Sequence, residues 1–283
     1  MNEPNQIWTE EIQSENSLFS VNVKEVWHYR DLLLLLVKRD FITFYKQTIL
    51  GPIWFFIQPL LTMLVYIILF GQIAKINISG LPQMAFYLSG ITIWNYFSES
   101  LTKISTVFKD NSTIFGKIYF PRLIMPLSIV LSALMKFVVQ FSLFILVVLY
   151  FSIVQKTIHP NIWIVATPFL ILLMAIFALG IGMIFSALTT KYKDLSFLLT
   201  FGIQLFMYAT PVVYPISAIP ESLKWLANSN PLSCIFECFR YGYLGFGTFE
   251  VSDLVRSSTI IILLFMIGVI TFNKVEKSFM DTV

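Results

Sequence analysis

Six stretches of this chain are apolar for long enough to cross a lipid bilayer: 50–73, 84–107, 123–154, 162–188, 195–214 and 254–272. The hydrocarbon core is about 30 Å thick and offers a peptide group no hydrogen-bond partner, so a stretch of roughly 20 apolar residues crosses it as a helix. At about 1.5 Å per residue the third stretch would reach roughly 48 Å, so it must tilt or project beyond the hydrocarbon. Composition agrees: 57% of the 283 residues are hydrophobic and only 12% charged, far from the balance of a soluble domain. An all-α integral membrane protein with six transmembrane helices is predicted.

Six spans put both termini on one side, and the basic residues choose the side. With the termini inside, the inner segments hold Lys24, Arg30, Lys38, Arg39, Lys46, Lys109, Lys117, Arg122, Lys191, Lys193, Lys274 and Lys277. The outer ones hold Lys75, Lys156, Lys224, Arg240 and Arg256. The excess is on the side of the termini, which predicts cytosolic ends by the positive-inside rule. Residues 1–23 are polar, carry Glu3, Glu10, Glu11 and Glu15, and lack a basic region followed by an apolar one. They are expected to form a flexible cytosolic tail and not a cleavable signal peptide. A second cytosolic tail is expected over 274–283.

Residues 24–46 contain a leucine run framed by Arg30 and Asp31 on one side and Lys38, Arg39 and Asp40 on the other. On a helix the charges gather in one sector and the apolar residues in the other, which predicts an amphipathic helix at the membrane interface. Trp27, Leu33, Leu34, Val37, Phe41 and Phe44 would face lipid tails or other spans. Gly51 and Pro52 then turn the chain into the first span, Gly supplying the bend and Pro tolerated in a first helical turn.

Several groups invite a functional reading. Glu99 and Lys103 stand at i and i+4 in span two, and Lys136 lies deep in span three; charges at that depth should face protein or water. The inner loop 109–122 reads KDNSTIFGKIYFPR: helix-capping residues, basic and aromatic residues, then a proline stop, the make-up of a docking knob. Ala178, Gly182 and Ser186 recur at intervals of four, a small-residue ladder suited to close helix packing within the chain or between copies. After span five, TPVVYP at 210–215 precedes NPLSCIFECFRYGYLG at 230–245, which reads as a capped half-helix that re-enters the membrane and returns. Irregular backbone at that depth is tolerated only beside protein or water, so this segment should frame a cavity or exit. Tyr214, Tyr241, Tyr243, Phe246 and Phe249 would offer it aromatic faces, which suit sugar rings.

Other classes of function find little support. A net charge of +3 with no basic patch in a soluble segment argues against nucleic acid. Cys234 and Cys238, four apart and remote from both histidines, supply two possible metal ligands where a structural zinc wants four, and are expected to be packing residues. No metal site and no catalytic residue is predicted. The chain has no G-x-x-x-x-G-K-[ST] loop to cradle a nucleotide, so it binds no cofactor of its own and cannot hydrolyse ATP unaided.

Taken in order, these features resemble the membrane subunit of bacterial ABC transporters that export polysaccharides, the type-2 permeases of O-antigen, teichoic-acid and capsule systems. The resemblance covers about residues 24–280. It rests on ILGPIW at 49–54, QPL at 58–60, FPR at 120–122, YKD at 192–194, NP at 230–231 and RYG at 240–242, and makes 47–273 a six-span type-2 transmembrane domain. It implies a homodimer in the bacterial cytoplasmic membrane that engages two copies of a separate ATPase, which binds the ATP and Mg. It also implies that Phe115, Lys117, Ile118, Tyr119 and Arg122 belong to a loop seated in that ATPase. A lipid-linked glycan would enter beside Gly51, its pyrophosphate drawn by cations such as Arg30, Lys38, Arg39, Lys46 and Arg122. Tyr214, Tyr241, Tyr243 and Phe246 would line its channel or exit. An exporter of a small molecule or drug, a membrane-bound transferase acting on lipid-linked sugars and a stand-alone channel stay open as alternatives.

Overall fold

The computed structural model describes residues 23–46, 48–76, 78, 80–115, 120–247 and 250–279, and the regular structure among them is entirely helical. The tail expected over 1–23 therefore lies outside the described residues except for Val23, as do residues 280–283 of the C-terminal tail.

The predicted interface helix is two helices, α1 (Val23–His28) and α2 (Arg30–Tyr45). They meet at Tyr29, yet backbone bonds from Tyr29 N to Glu25 O and from Leu33 N to Tyr29 O carry the helical pattern across. Leu36 and Val37 are buried while Trp27, Leu34 and Leu35 stay exposed. The apolar face is thus shared: its centre packs on the protein and its flanks are left for lipid. A 3-10 turn at Gly51–Ile53 leads into α3 (Trp54–Tyr66), which ends in a π-helix, Ile67–Ile73. Gly51 has φ of +55° and no neighbour against its α-carbon, so conformation, not crowding, selects glycine here. The π-turn's Gly71 lies against the Gln83 side chain, which a Cβ there would meet at 2.6 Å.

α4 (Gln83–Ser105) follows, then the short α5 (Val107–Asp110) and α6 (Ser112–Phe115), then α7 (Ile124–Ile153). A 3-10 turn at Ile162–Ala166 opens α8 (Thr167–Lys191), and α9 (Leu195–Ala209), α10 (Glu221–Ser229), α11 (Pro231–Leu244) and α12 (Val251–Phe279) complete the chain. Helix continues through Phe279, so the C-terminal tail expected from 274 begins as an extension of the last helix. The small-residue positions of α8 settle their own question: Ala178, Gly182 and Ser186 are buried within the chain, with Gly182 against Ile104 of α4.

Among the described residues four helical stretches are long and apolar enough to cross a membrane: Gly51–Ile73, Ile124–Ile153, Ile162–Lys191 and Val251–Val275. α9 is apolar but shorter, and α4 has the length but carries Gln83, Asn95, Glu99 and Lys103 among its apolar residues. α4 is nevertheless the centre of the molecule, buried at every position from Ala85 to Trp94 and at half of those from there to Ile104, and packed between α3, α7 and α8. Apart from Lys103, which is exposed, its polar residues are buried or half-buried against protein, as polar groups removed from water must be.

The helices run between two ends. At one, Phe108 stacks on Phe272 of α12 at 4.6 Å, the Thr189 hydroxyl donates to Ser105 O, and Val26 of α1 shares an apolar niche with Leu123, Phe265 and Val269. At the other lie the turns before α4, α8, α11 and α12. The N-terminal helices, the loop before α7, the turn after α8 and the last turns of α12 thus share an end.

Candidate functional site

The segment 210–245 is built around one guanidinium. Arg240 is 1% exposed. Its Nη1 donates to Pro211 O and its Nη2 to Val212 O, each at 2.6 Å, while Nε donates to Ser89 Oγ of α4 at 3.3 Å. The Phe86 ring lies 3.9 Å from Cζ. Two carbonyls freed where α9 stops at Thr210–Pro211 are thereby satisfied, and the planar fork fits that task as a lysine would not. A Cβ at Gly90 would strike the Val212 carbonyl oxygen and come within 2.9 Å of Arg240 Nη2; the glycine is a close-approach position. The fifth expected span ends at Ala209, five residues early, because Thr210 is extended and Pro211 has no N–H to continue a helix. Arg240 is a buried brace and not a loop charge, so it leaves the outer total of the charge count.

α11 has the predicted caps. Asn230 Oδ1 accepts from Leu232 N at 3.0 Å, Pro231 holds the first helical position, and Gly245 follows the last turn with φ of 66°. Its C-terminal turn is pinned by Asn161, whose Nδ2 donates to Tyr241 O at 2.8 Å and whose N–H donates to Gly242 O. Gly242 lies against the Trp163–Ile164 backbone, which a Cβ would meet at 3.0 Å. NP, RYG and the final glycine are thus a cap, a brace with a close contact, and a helix stop. Asn161 and Ser89 escaped the sequence reading; neither stands in a pattern that marks a distant partner. Cys234 and Cys238 are free and buried, as packing residues should be.

Of the proposed exit aromatics, Tyr243 is misplaced. It is 4% exposed and packs against Phe239 at 4.7 Å, Phe144 at 5.3 Å and Phe141 at 5.7 Å. Its hydroxyl is 2.9 Å from Thr167 Oγ1. It closes the core between α7, α8 and α11, because α11 turns that face inward. Tyr214 and Phe246 are half-buried, Tyr214 donating to Tyr208 O at 2.7 Å, and Tyr241 is also half-buried. Phe249 lies outside the described residues.

The charges expected within spans two and three form a trio. Glu99 pairs with Lys103 at 2.8 Å, and Lys136 of α7 reaches the same carboxylate oxygen. Asn95 Nδ2 donates to Gln140 Oε1 one turn along at 3.3 Å. Lys136 is buried, but Lys103, expected with it, is exposed on the chain's surface: the second lysine takes the inner side of the carboxylate and leaves the first at the rim.

Two residues of the loop before α7 also face inward. Phe115 is 7% exposed and stacks with Phe120 and Phe108. Arg122, 5% exposed, lays its guanidinium over the Phe115 ring at 5.4 Å. Neither is presented as a docking or phosphate-binding group; they buttress the loop from beneath, since a four-residue helix has no other core. Lys117, Ile118 and Tyr119 lie outside the described residues. Along α2, Arg30 stands near Asp31 at 3.9 Å and Arg39 pairs with Asp40 at 2.7 Å. Lys38 and Lys46 are exposed, and among the described residues no ion pair engages either. The helix is moored by Ser132 of α7, whose hydroxyl donates to Val37 O at 3.3 Å, and Phe41 stacks on Phe55 at 5.6 Å. Its C-terminal half is thereby held against α7 and the start of α3.

This architecture has close relatives. The chain is 29% identical over 252 residues to the O-antigen export system permease protein RfbA of Klebsiella pneumoniae, an alignment covering 89% of this chain and 94% of the relative. It is 32% identical over 220 residues to the protein of the same name from Myxococcus xanthus, covering 77% and 82%. The capsule polysaccharide export inner-membrane protein CtrC of Neisseria meningitidis is 25% identical over 250 residues, covering 84% and 90%. Residues 31–244, from the first turn of α2 to the last residue of α11, match the family described as ABC-2 type transporter, and the chain belongs to it.

Proposed function

We propose that this chain is the channel-forming permease subunit of an ATP-driven exporter that moves a lipid-linked polysaccharide across the bacterial cytoplasmic membrane. The observation that carries the proposal is the near end-to-end match with the O-antigen export permease of Klebsiella pneumoniae, 89% of this chain against 94% of that one. In this reading α4 and α9 join the four long apolar stretches as spans, giving six, with α4 admitted because Asn95 and Glu99 are half-buried against α7 and the exposed Lys103 is paired with Glu99. The end shared by α1, the loop before α7 and the last turns of α12 is the cytosolic one. α11 is a re-entrant half-helix, braced by Arg240.

The chain supplies the path and a separate ATPase supplies the force, with ATP and Mg bound there. Two copies of the chain face one another and two of the ATPase sit beneath. Residues 116–119, Ile118 and Tyr119 among them, form the contact, and Phe115 and Arg122 stiffen it from behind. Arg30, Lys38, Arg39 and Lys46 draw the pyrophosphate of the glycan lipid to the turn at Gly51, and Tyr214, Tyr241 and Phe246 offer its sugars ring faces on the way out.

Deleting the chain in its host should remove the polysaccharide from the cell surface while lipid-linked glycan accumulates inside, and Ile118→Asp or Tyr119→Asp should reproduce the block with the complex still expressed. Surface polysaccharide at the parental level in the deletion strain overturns the proposal.

A further inference from the structure

A cavity of about 590 Å³ opens between α10, α11 and the start of α12, and two of the groups that line it have unmet hydrogen-bonding capacity. Glu237 is 5% exposed and Ser233 2% exposed. Among the described residues neither Glu237 Oε1 nor Ser233 Oγ has a hydrogen-bond partner. The Ile216 backbone N–H serves the Glu237 carboxyl group, but Arg240, one turn along, is committed to the Pro211 and Val212 carbonyls. A buried carboxylate oxygen and a buried hydroxyl left open beside one cavity cost stability unless a guest completes them. The turn after α11 presses close: a Cβ at Gly247, whose φ is 94°, would stand 2.5 Å from Glu237 Oε2. Phe246 lies on the same wall.

The remaining charges narrow the class of guest. Lys224 is paired with Glu221 at 2.5 Å, and Arg256 with Asp253 at 3.0 Å and with Asn228 O at 2.8 Å, so the cavity holds no uncommitted cation for a phosphate. Glu250 accepts from the Ser252 hydroxyl, and among the described residues no three His, Cys, Asp or Glu side chains gather closely enough to hold a metal ion. What is offered is an acceptor, a hydroxyl and an aromatic ring around a space of ligand size, the set that hydroxyls on an apolar C–H face would satisfy. We infer that this cavity is a binding site for one pyranose unit, with Glu237 accepting from its hydroxyls, Ser233 bonding a neighbouring oxygen and Phe246 covering a ring face.

Asp253 at its rim is roughly 29 Å along α12 from Phe272, at about 1.5 Å per residue, so the cavity lies a bilayer's width from the end that holds the loop before α7. Resting on the export reading above, the sugar is assigned to the exported glycan after it has crossed. Each chain would then hold the emerging polymer at a point of its own, reducing backward slippage between strokes.

The test uses the chain with its ATPase partner in lipid nanodiscs, free of glycosidic detergent, and D-mannose, D-galactose and L-rhamnose as probes. Saturation-transfer NMR should show transfer to ring protons of at least one sugar, weakened roughly ten-fold or more by Glu237→Gln and by Phe246→Ala. No transfer to any of the three, or equal transfer in both variants, overturns the site. Should either variant fail to fold, the unaltered protein still decides: Cys234 lines the same cavity, and the bound sugar should slow its alkylation by N-ethylmaleimide, while an unchanged rate overturns the site. Sugar binding lost in Glu237→Gln with export at the normal rate overturns the assignment to the exported chain. The deletion phenotype tests the export reading separately.

Discussion

The carboxylate of Glu99 holds two lysines at once, and that makes the members of the trio unequal. Removing Lys136 as Lys136→Met leaves the Glu99–Lys103 pair at 2.8 Å intact and puts an apolar side chain of similar length in a buried place. Glu99→Gln instead removes the carboxylate that both ammonium groups share, one of them buried. The second change should cost roughly 3 kcal/mol or more and the first within about 1 kcal/mol. Unfolding midpoints in a mild detergent check the order, and equal midpoints would count against the trio. Half of this arrangement was legible beforehand: i, i+4 spacing on one helix face announces Glu99 with Lys103, but nothing local announces that Lys136, 37 residues on, takes the same oxygen. Arg240 teaches the same lesson. A charge among Phe236, Phe239 and Tyr243 should face protein, but its partners are carbonyls exposed by a helix ending elsewhere in the chain.

Among the elements, the closest helix crossing is set by glycine. Gly180 of α8 lies against Phe265 of α12, and a Cβ at Gly268 would strike the Gly180 carbonyl oxygen and come within 2.9 Å of its C and Cα. Gly268→Ala must push the two helices apart at a packed contact and should cost about 1–3 kcal/mol. Gly202 of α9 has nothing within 4 Å of a Cβ, so Gly202→Ala should be neutral or stabilise by up to about 1 kcal/mol through helix propensity. Thermal unfolding of both variants beside the parent checks the contrast, and a Gly268→Ala protein as stable as the parent would mean that the crossing is looser than described. Hydropathy located the long helices to within a few residues wherever an apolar run meets a polar boundary. It overran at α9, where Pro211 ends the helix inside the apolar run, and fell short at α12, which continues into polar sequence.

Across the whole molecule the sidedness of the ends is the property most open to direct measurement. In a background with Cys234 and Cys238 replaced by Ser, single cysteines at exposed Lys109, Lys193 and Lys274 should react with a membrane-impermeant maleimide only after the cells are opened. Cysteines at Lys75, Lys156 and Glu221 should react in intact cells. Labelling of Lys156→Cys and Lys193→Cys from the same side would remove α8 from the set of spans. The sequence by itself determined the helical character of the chain, its long apolar helices, the helical pair at 23–45 and the caps of α11, because hydropathy, proline and glycine act within a few residues of where they stand. Only the tertiary structure decided that Tyr243 is core, that Phe115 and Arg122 face inward, that Arg240 braces α11 against the end of α9, and that Glu237 and Ser233 line a cavity. Each of those depends on which face of one helix another covers, and that contact is made by residues distant in the chain.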